Sequence, residues 1–434
     1  MSPAEAGGIG ILVFLILMML KMPIALSMAI VGFVGFAVVV DLNAALRVLS
    51  SELYSTFASY SLSVIPMFVL MGFFAFHAGL GAKLYNFSYK VVGHLTGGLA
   101  MSSEVACAIF GAVCGSSTAT TATIGSIAIP EMKKYNYSDS LATACIAAGG
   151  AIGILIPPST IFVIYGVATE QSIGRLFLAG VFPGILLTAM YMLAIWLVCK
   201  RNPSLGPPSE HRASFKEIIS ALGGGLIEVF IVFLISIGGL FAGWFTPTEA
   251  GGVGAAGVLL VTIFSRKMTL AKLNSALADT TRTSAMIMFL VGGAIIFTRF
   301  MAVSRIPFVL ASFIGDLPLP PVVVLIVILM VYLLLGTFIE MIPLILLTIP
   351  IFYPVVVTVL GYDPIWFGVI IVMVVAMGVI TPPVGINVYV IKGVAKDVPL
   401  EKVFSGVWPF LLAAAVSIGL LIIFPQIALF LPSL

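Results

Sequence analysis

Charge is scarce in this sequence. Asp, Glu, Lys and Arg together make up 9% of its 434 residues, against about 25% in soluble domains. Hydrophobic residues make up 61% and the mean hydropathy is +1.24, which excludes a soluble globular protein and points to a polytopic membrane protein. The net charge of +3 is small and no Lys/Arg block is present, so nothing calls for a nucleic acid partner. Cysteine is equally sparse. Cys107, Cys114, Cys145 and Cys199 lie in or at the ends of apolar runs; their spacing suits neither a zinc site nor a disulfide, and they are expected as small core residues. His77, His94 and His211 are too scattered to form a metal site. No Walker A pattern, Gly-x-Ser-x-Gly or His-Glu-x-x-His occurs, which excludes P-loop nucleotide hydrolysis and the common hydrolytic constellations. The first apolar run, 7–20, has no basic segment before it and is expected to be a first span, not a cleaved signal peptide.

What is present is a series of apolar runs near the length of about 20 residues that a spanning helix needs. Spans are expected at 7–20, 24–40, 54–79, 138–170 and 176–199 in the first half, and at 222–243, 248–265, 284–303, 363–395 and 404–431 in the second. Two further segments, 95–131 and 320–358, are apolar at both ends and small or polar in the middle. Lys/Arg excess marks cytoplasmic loops, and the polar stretch 200–216 carries Lys200, Arg201, Arg212 and Lys216. Placing it inside puts Lys83, Lys90, Lys133, Lys134, Arg266, Lys267, Lys272, Lys392, Lys396 and Lys402 inside as well. Segments 95–131 and 320–358 must then each enter and return on one side, from opposite faces, as re-entrant hairpins. Both termini come out periplasmic.

The halves repeat. Gly111 and Gly336 are 225 positions apart, as are Pro157 and Pro382; Pro23 and Pro247 are 224 apart, and Pro183 and Pro409 are 226 apart. Each half holds five spans, one of them broken, and one hairpin, so the second copy is inverted. The expected fold is an all-α polytopic membrane protein of two inverted-topology repeats. Such repeats with discontinuous helices and a mid-membrane site are a transporter signature. A channel would need a sustained polar stripe, and an intramembrane enzyme a nucleophile or an acid–base pair at mid-span; neither is visible. With no nucleotide motif, transport is expected to run on an ion gradient or through a partner subunit.

Gly153 to Pro158 breaks one span and Gly378 to Pro383 breaks its counterpart. Irregular backbone at membrane depth is tolerated only where protein buries it or a cavity lines it. A helix ending at the break leaves carbonyls of partial negative charge, and proline prevents continuation. A cation site is therefore expected at each hairpin tip, facing the adjacent break. Hard cations take oxygen ligands, and Na⁺ is inferred by extension. The first site is assigned to Gly115, Ser116, Ser117, Thr118, Pro157 and Ser159, and the second to Gly336, Thr337, Thr381, Pro382 and Gly385. The helix restarting after each Pro-Pro offers free amides to a carboxylate; Thr118, Ser159, Thr160, Pro383, Asn387 and Glu340 are the expected substrate contacts. The small residues at 111–123 would also serve tight helix packing alone, an explanation that the second copy weakens.

Charge inside a membrane is costly and usually functional. Glu340 is expected either beside the second cation site or solvated at the hairpin tip. Arg299 either snorkels to the outer interface, the preferred expectation, or attracts an anion. Glu104 is expected at an interface, and Glu228 and Glu249 at span ends.

Taken together, the segments Ile65 to Gly72, Gly97 to Ala100, Gly115 to Thr120, Leu155 to Ser159, Ile164 to Gly166, Ala179 to Gly184, Thr246 to Ala250 and Thr381 to Asn387 resemble the large membrane subunit (DctM type) of tripartite ATP-independent periplasmic transporters, over essentially the whole chain. Arg299, in Phe297-Thr298-Arg299-Phe300, is a departure, more charged than the resemblance leads one to expect. The resemblance implies a bacterial or archaeal inner-membrane protein working with a small four-helix membrane subunit and a soluble periplasmic substrate-binding protein. It implies organic-acid substrates such as C4-dicarboxylates and sialic acids, a Na⁺ gradient as driver (a proton gradient being the alternative) and an elevator motion. The small subunit is expected to be a separate polypeptide. In that scheme 95–170 and 320–395 form the transport domain. Residues 1–94 and 171–319, with linker 200–217, form the scaffold, and 396–434 a C-terminal helix.

Overall fold

The computed structural model describes residues 2–208, 212–223, 226–315 and 318–434; His211 lies outside them. Every regular element among the described residues is helical. The first half runs α1 (Pro3–Met19), α2 (Ile24–Val39), α3 (Leu42–Phe57), α4 (Val64–His77), α5 (Leu80–Val92), α6 (Gly98–Cys114), α7 (Ser117–Lys134), α8 (Asp139–Ile152), α9 (Thr160–Ala168) and α10 (Ile173–Arg201). The short α11 (Phe215–Ala221) follows. Then come α12 (Leu226–Phe241), α13 (Pro247–Phe264), α14 (Leu270–Ser304), α15 (Ile306–Gly315), α16 (Pro321–Gly336), α17 (Met341–Tyr353, extended by a π-helical segment Pro354–Val359), α18 (Pro364–Gly378), α19 (Ile386–Val394), α20 (Leu400–Ile423) and α21 (Gln426–Leu429). The helix order of the first half recurs: α1–α2 correspond to α12–α13, α6–α10 to α16–α20, and the pair α3–α4, bent by 54°, to the single 35-residue α14.

Helix starts follow local side-chain chemistry. Ser2 with Glu5 and Thr246 with Glu249 form capping boxes for α1 and α13. Ser116, Ser138, Ser159 and Ser172 cap α7, α8, α9 and α10, each accepting from a backbone amide three residues on. The Asp363 carboxylate accepts from the amides of Ile365 and Trp366 at the start of α18. Hydroxyl residues that read as polar insertions at 116 and 159 thus end one helix segment and begin the next.

Taken singly, α10, α13, α14, α17 with its π segment, and α20 are long and apolar enough to cross a membrane. Three expectations about the spans change. The 54–79 span is divided, because 58–63 is a bend, and α3 before it carries Arg47 and Glu52, which hid it as a loop. The 284–303 span is only the C-terminal part of α14, whose N-terminal part carries Lys272, Asp279 and Arg282. The short helices α5 and α15 were not expected; α5 alternates Lys and Tyr with apolar residues too quickly to read as a span.

The helices pack as two bundles. In one, α14 lies along α2 and α4, α4 along α13, and α12, α1 and α3 complete the outside. In the other, α6 and α7 fold back on each other and on α8, while α16, α18 and α19 join the same body. The long helices α10 and α20 pack on each other and mainly on this second bundle, α10 also touching α12 of the first. Trp366, buried in α18, donates to the Leu421 carbonyl of α20 at 2.9 Å, and the buried Tyr165 of α9 donates to the Pro364 carbonyl at 2.6 Å. Apolar residues such as Leu12, Ile16, Leu193 and Leu412 face outwards, as the lipid side of a membrane protein requires.

Residues that the charge count assigned to one side do meet. Lys133 pairs with Asp397 and lies 3.7 Å from Asp139, Lys402 lies 3.8 Å from Asp139, and Lys90 donates to the Glu217 carbonyl at 3.2 Å.

Candidate functional site

The first hairpin turns at Gly115, whose φ of +64° is left-handed and ends α6. Ser116 then opens α7. The turn is pressed against the first helix break: a Cβ on Gly115 would lie 3.0 Å from the Pro158 carbonyl oxygen, and one on Gly153 would lie 2.6 Å from Gly111 Cα. Only glycine permits this approach of two backbones. Among the described residues no hydrogen bond reaches the Pro157 or Pro158 carbonyl. The Ile154 carbonyl, expected to be open, is not: the Ser159 hydroxyl donates to it while accepting from the Phe162 amide at 3.4 Å. Ser159 therefore staples the break and is buried, with its hydrogen already used. Ser116 and Thr118 hydroxyl oxygens stand 3.4 Å apart at the tip. The oxygens gathered here are neutral and hard, a donor set that fits an alkali cation.

Asn387 ties the first hairpin to the second broken helix. Fully buried at the start of α19, it donates to Ser117 Oγ at 2.9 Å and to the Ala147 carbonyl at 2.9 Å, and its own oxygen lies 3.1 Å from Ser117 Oγ. The second break is more closed on itself. The Gly385 amide donates to the Thr337 carbonyl at 3.3 Å, the Asn387 amide to the Val379 carbonyl at 3.0 Å, and the Thr381 hydroxyl to the Met377 carbonyl at 2.8 Å. Gly385 has φ +57°, and Gly336 and Gly378 meet backbone to backbone, a Cβ on Gly378 lying 3.0 Å from Gly336 Cα. The second tip thus faces its own break as the first does, and among the described residues no hydrogen bond reaches the Pro382 or Pro383 carbonyl either. Pro157–Pro158 and Pro382–Pro383 are both cis.

A cavity of about 480 Å³ lies where the two bundles meet. It collects Gly115, Ser116, Ser117 and Thr118 from the first tip, Thr160 from the start of α9, Asn387 from α19 and Glu340 from the second tip. Glu340 is the residue before α17 and opens onto this cavity. Pro157, Ser159, Gly336, Thr337, Thr381, Pro382, Pro383 and Gly385 do not line this cavity. The opposite wall comes from residues that the sequence did not assign to the site: Val69 and Phe73 of α4, and Thr283, Met286 and Ile287 of α14. Their only signal was a hydroxyl, Thr283, beside an apolar run; which way it faces depends on bundle packing.

Other expected groups fall elsewhere. Glu104 is not interfacial: it is fully buried in α6, and neither carboxyl oxygen has a hydrogen-bond partner. The reason is that α8 and α10 cover α6 at that level, Gly149 of α8 leaving room for the carboxyl. Arg299 does not simply snorkel. Its Nε lies 2.8 Å from Glu52 Oε1 of α3, and it lines a second cavity of about 1120 Å³ beside Arg305 and Tyr353. His77 pairs with Asp279 at 2.8 Å, joining α4 to α14. Glu249 is exposed and accepts from the Thr246 amide at 2.8 Å and its hydroxyl at 2.9 Å.

Residues 11–427 match the family model of the tripartite ATP-independent periplasmic transporter, DctM component. The chain is 36% identical to the C4-dicarboxylate TRAP transporter large permease protein DctM of Pseudomonas aeruginosa, over 89% of this chain and 90% of that one. It is 34% identical to the sialic acid TRAP transporter large permease protein SiaM of Vibrio cholerae, over 95% of each. In fold it is similar to the YdaH transporter of Alcanivorax borkumensis, with a TM-score of 0.62 at 14% identity, covering 89% of this chain and 90% of that one.

Proposed function

The chain belongs to the DctM components of tripartite ATP-independent periplasmic transporters, and on that premise we propose that it imports an organic acid, of the C4-dicarboxylate or sialic acid kind, driven by a Na⁺ gradient. The observation that carries this reading is the cavity in which Ser116, Ser117, Thr118, Thr160, Asn387 and Glu340 converge from two hairpins and two broken helices. A carboxylate there meets hydroxyls and the amino ends of α9 and α19, whose partial positive charge favours an anion. Among the described residues the amides of Thr160, Ile161 and Ile386 make no backbone hydrogen bond. Na⁺ fits the first tip, held by the Pro158 carbonyl with the Ser116 and Thr118 hydroxyls. The second tip offers the Pro382 and Pro383 carbonyls in the same way. Glu340 repels an anionic substrate unless a cation or a proton neutralises it, and for that reason a proton-coupled variant with Glu340 as carrier remains the second reading.

The mobile body in this reading comprises 95–170 and 320–395, joined by α10 and α20, which pack on it. It slides against the bundle built on α2, α4, α13 and α14. The substrate cavity abuts Thr283 to Ile287 of α14, while the larger cavity lies along 291–302. With the Lys272 end of α14 cytoplasmic and both termini periplasmic, the site sits in the inner half of its travel. A separate small membrane subunit and a periplasmic binding protein complete the system.

Uptake into proteoliposomes holding this chain with both partners tests the proposal, using a panel of organic acids with and without an inward Na⁺ gradient. Accumulation that needs both Na⁺ and the binding protein is expected. Replacing Ser117 and Thr118 by Ala should raise the Na⁺ required. Uptake driven equally well by a proton gradient without Na⁺ would overturn the Na⁺ reading and leave the Glu340 reading.

A further inference from the structure

We infer that the cavity of about 1120 Å³ receives the substrate from outside, its carboxylate replacing Glu52 on Arg299 with Arg305 beside it, an assignment that rests on the organic-acid reading above. Both cavities lie on one seam between the bundles. On α14, Thr283 and Ile287 line the smaller cavity, and Val291, Ile295, Thr298 and Ala302 the larger. Steps of three and four residues keep all six on one face of the helix. The facing wall runs the same way. Thr160 of α9 and Ile342 of α17 line the smaller cavity, while Ile164 of α9 and Leu346 and Tyr353 of α17 line the larger. Helix α17 packs on both α9 and α14. Ile287 and Arg299 are 12 positions apart, about 18 Å along a helix. One end of the seam thus presents hydroxyls and Glu340, the other presents guanidinium groups, and apolar side chains lie between.

The charged end suits exchange of one carboxylate for another. Arg299 donates from Nε to Glu52 Oε1 at 2.8 Å, and among the described residues its two terminal nitrogens have no partner. The Arg305 guanidinium has none either among those residues. The Arg299 side chain is 57% exposed against 18% for Glu52, so the guanidinium, not the carboxylate, meets what enters. A guanidinium takes a carboxylate through paired hydrogen bonds in a fixed geometry, which a lysine cannot reproduce. Glu170, just after α9, lines the same cavity. Its two carboxylates offset its two guanidinium groups, so the walls carry no net charge. Glu52 takes Arg299 back as the substrate moves on, which prevents a lasting hold.

Arginine modification by phenylglyoxal, read residue by residue by mass spectrometry on this chain with its small membrane subunit, tests the site without Na⁺ or the binding protein. Succinate or N-acetylneuraminate should protect Arg299 and Arg305. Dimethyl succinate should not, and the exposed Arg175 should react alike throughout. Glu52→Gln frees Arg299 and should lower the protecting concentration about threefold. Arg299→Gln should raise it about tenfold at Arg305, through loss of a charge-assisted hydrogen bond. If Arg299→Gln fails to fold, Glu52→Gln carries the test, because a merely structural ion pair would give no gain there. No protection in the wild type, equal protection by inorganic phosphate, protection no stronger in Glu52→Gln, or unchanged protection of Arg305 in Arg299→Gln would overturn the inference. Uptake by proteoliposomes separates the two readings. Import of an acid that leaves both arginines unprotected overturns this site alone, and protection without Na⁺-driven import overturns only the Na⁺ reading.

Discussion

Gly111 and Gly336 occupy the same place in the two repeats, yet alanine should be costly at the first position and nearly neutral at the second. A Cβ on Gly111 would fall well inside 3.0 Å of Gly153 Cα, a separation that real Cβ atoms essentially never show, and ordinary contact begins at 3.4 Å. The obstacle is backbone on both sides, so no side chain can swing away. The first hairpin and the first break would have to part by about an ångström. Overpacking of this kind costs about 1–3 kcal/mol. It also falls on a coordination geometry whose distances tolerate about 0.2 Å. A Cβ on Gly336, by contrast, would stand 3.5 Å from Gly378 Cα and from Leu344 Cδ2, which is ordinary contact. Alanine in helix α16 would also gain up to about 1 kcal/mol of helix propensity. Gly111→Ala should therefore raise the Na⁺ for half-maximal uptake about tenfold, taking about 1.4 kcal/mol as one decade. Gly336→Ala should stay within about twofold of wild type. The assay is initial uptake rate against Na⁺ concentration, with surface expression and thermal unfolding as controls. Equal behaviour of the two variants, or greater damage at Gly336, would refute the claim that the first tip is the tighter of the two.

Three further outcomes are expected. Asn387→Ala should lower stability by about 1–3 kcal/mol, the cost of leaving buried partners unsatisfied, because Ser117 Oγ and the Ala147 carbonyl lose their donor; chemical or thermal unfolding in detergent reads this. Glu104→Leu should raise the unfolding temperature, since the carboxyl is buried with no partner for either oxygen and an apolar replacement is neutral or stabilising; a fall would show a partner supplied from outside this chain. At the opposite extreme of exposure, Asp397 is held below the ordinary carboxylate value, first by its hydrogen bond with Lys133. Its contribution is therefore complete above the ordinary Asp pKa and is lost as pH falls through the lowered value; Asp397→Asn should remove that acid-side loss from a stability-versus-pH curve.

How much of this was legible beforehand depended on what each feature rests on. The breaks at 153–158 and 378–383 were legible, because glycine and paired prolines cannot continue a helix in any context. The hairpin tips and the shared side of Lys133, Lys402 and Asp397 followed from small-residue insertions and lysine placement. Helices α3 and α5 were missed because their amphipathic sequences do not reach span hydropathy. The opposite wall of the cavity, Val69, Phe73 and Met286, was also illegible, since apolar residues carry no mark of the face they present.

By itself, then, the sequence determined the membrane environment, the two repeats, the four interruptions of helix and the family, all of which follow from composition and short-range backbone chemistry. Only the tertiary structure decided which oxygens stay open. It showed Ser159 spending its hydrogen on Ile154, Asn387 bridging to Ser117 across 270 residues, and Glu104 sealed beneath α8 and α10. It also decided that α10 and α20 pack on the hairpins' bundle. Hydrogen-bond partners, burial and the facing of apolar side chains depend on neighbours remote in the chain, and no local pattern encodes them.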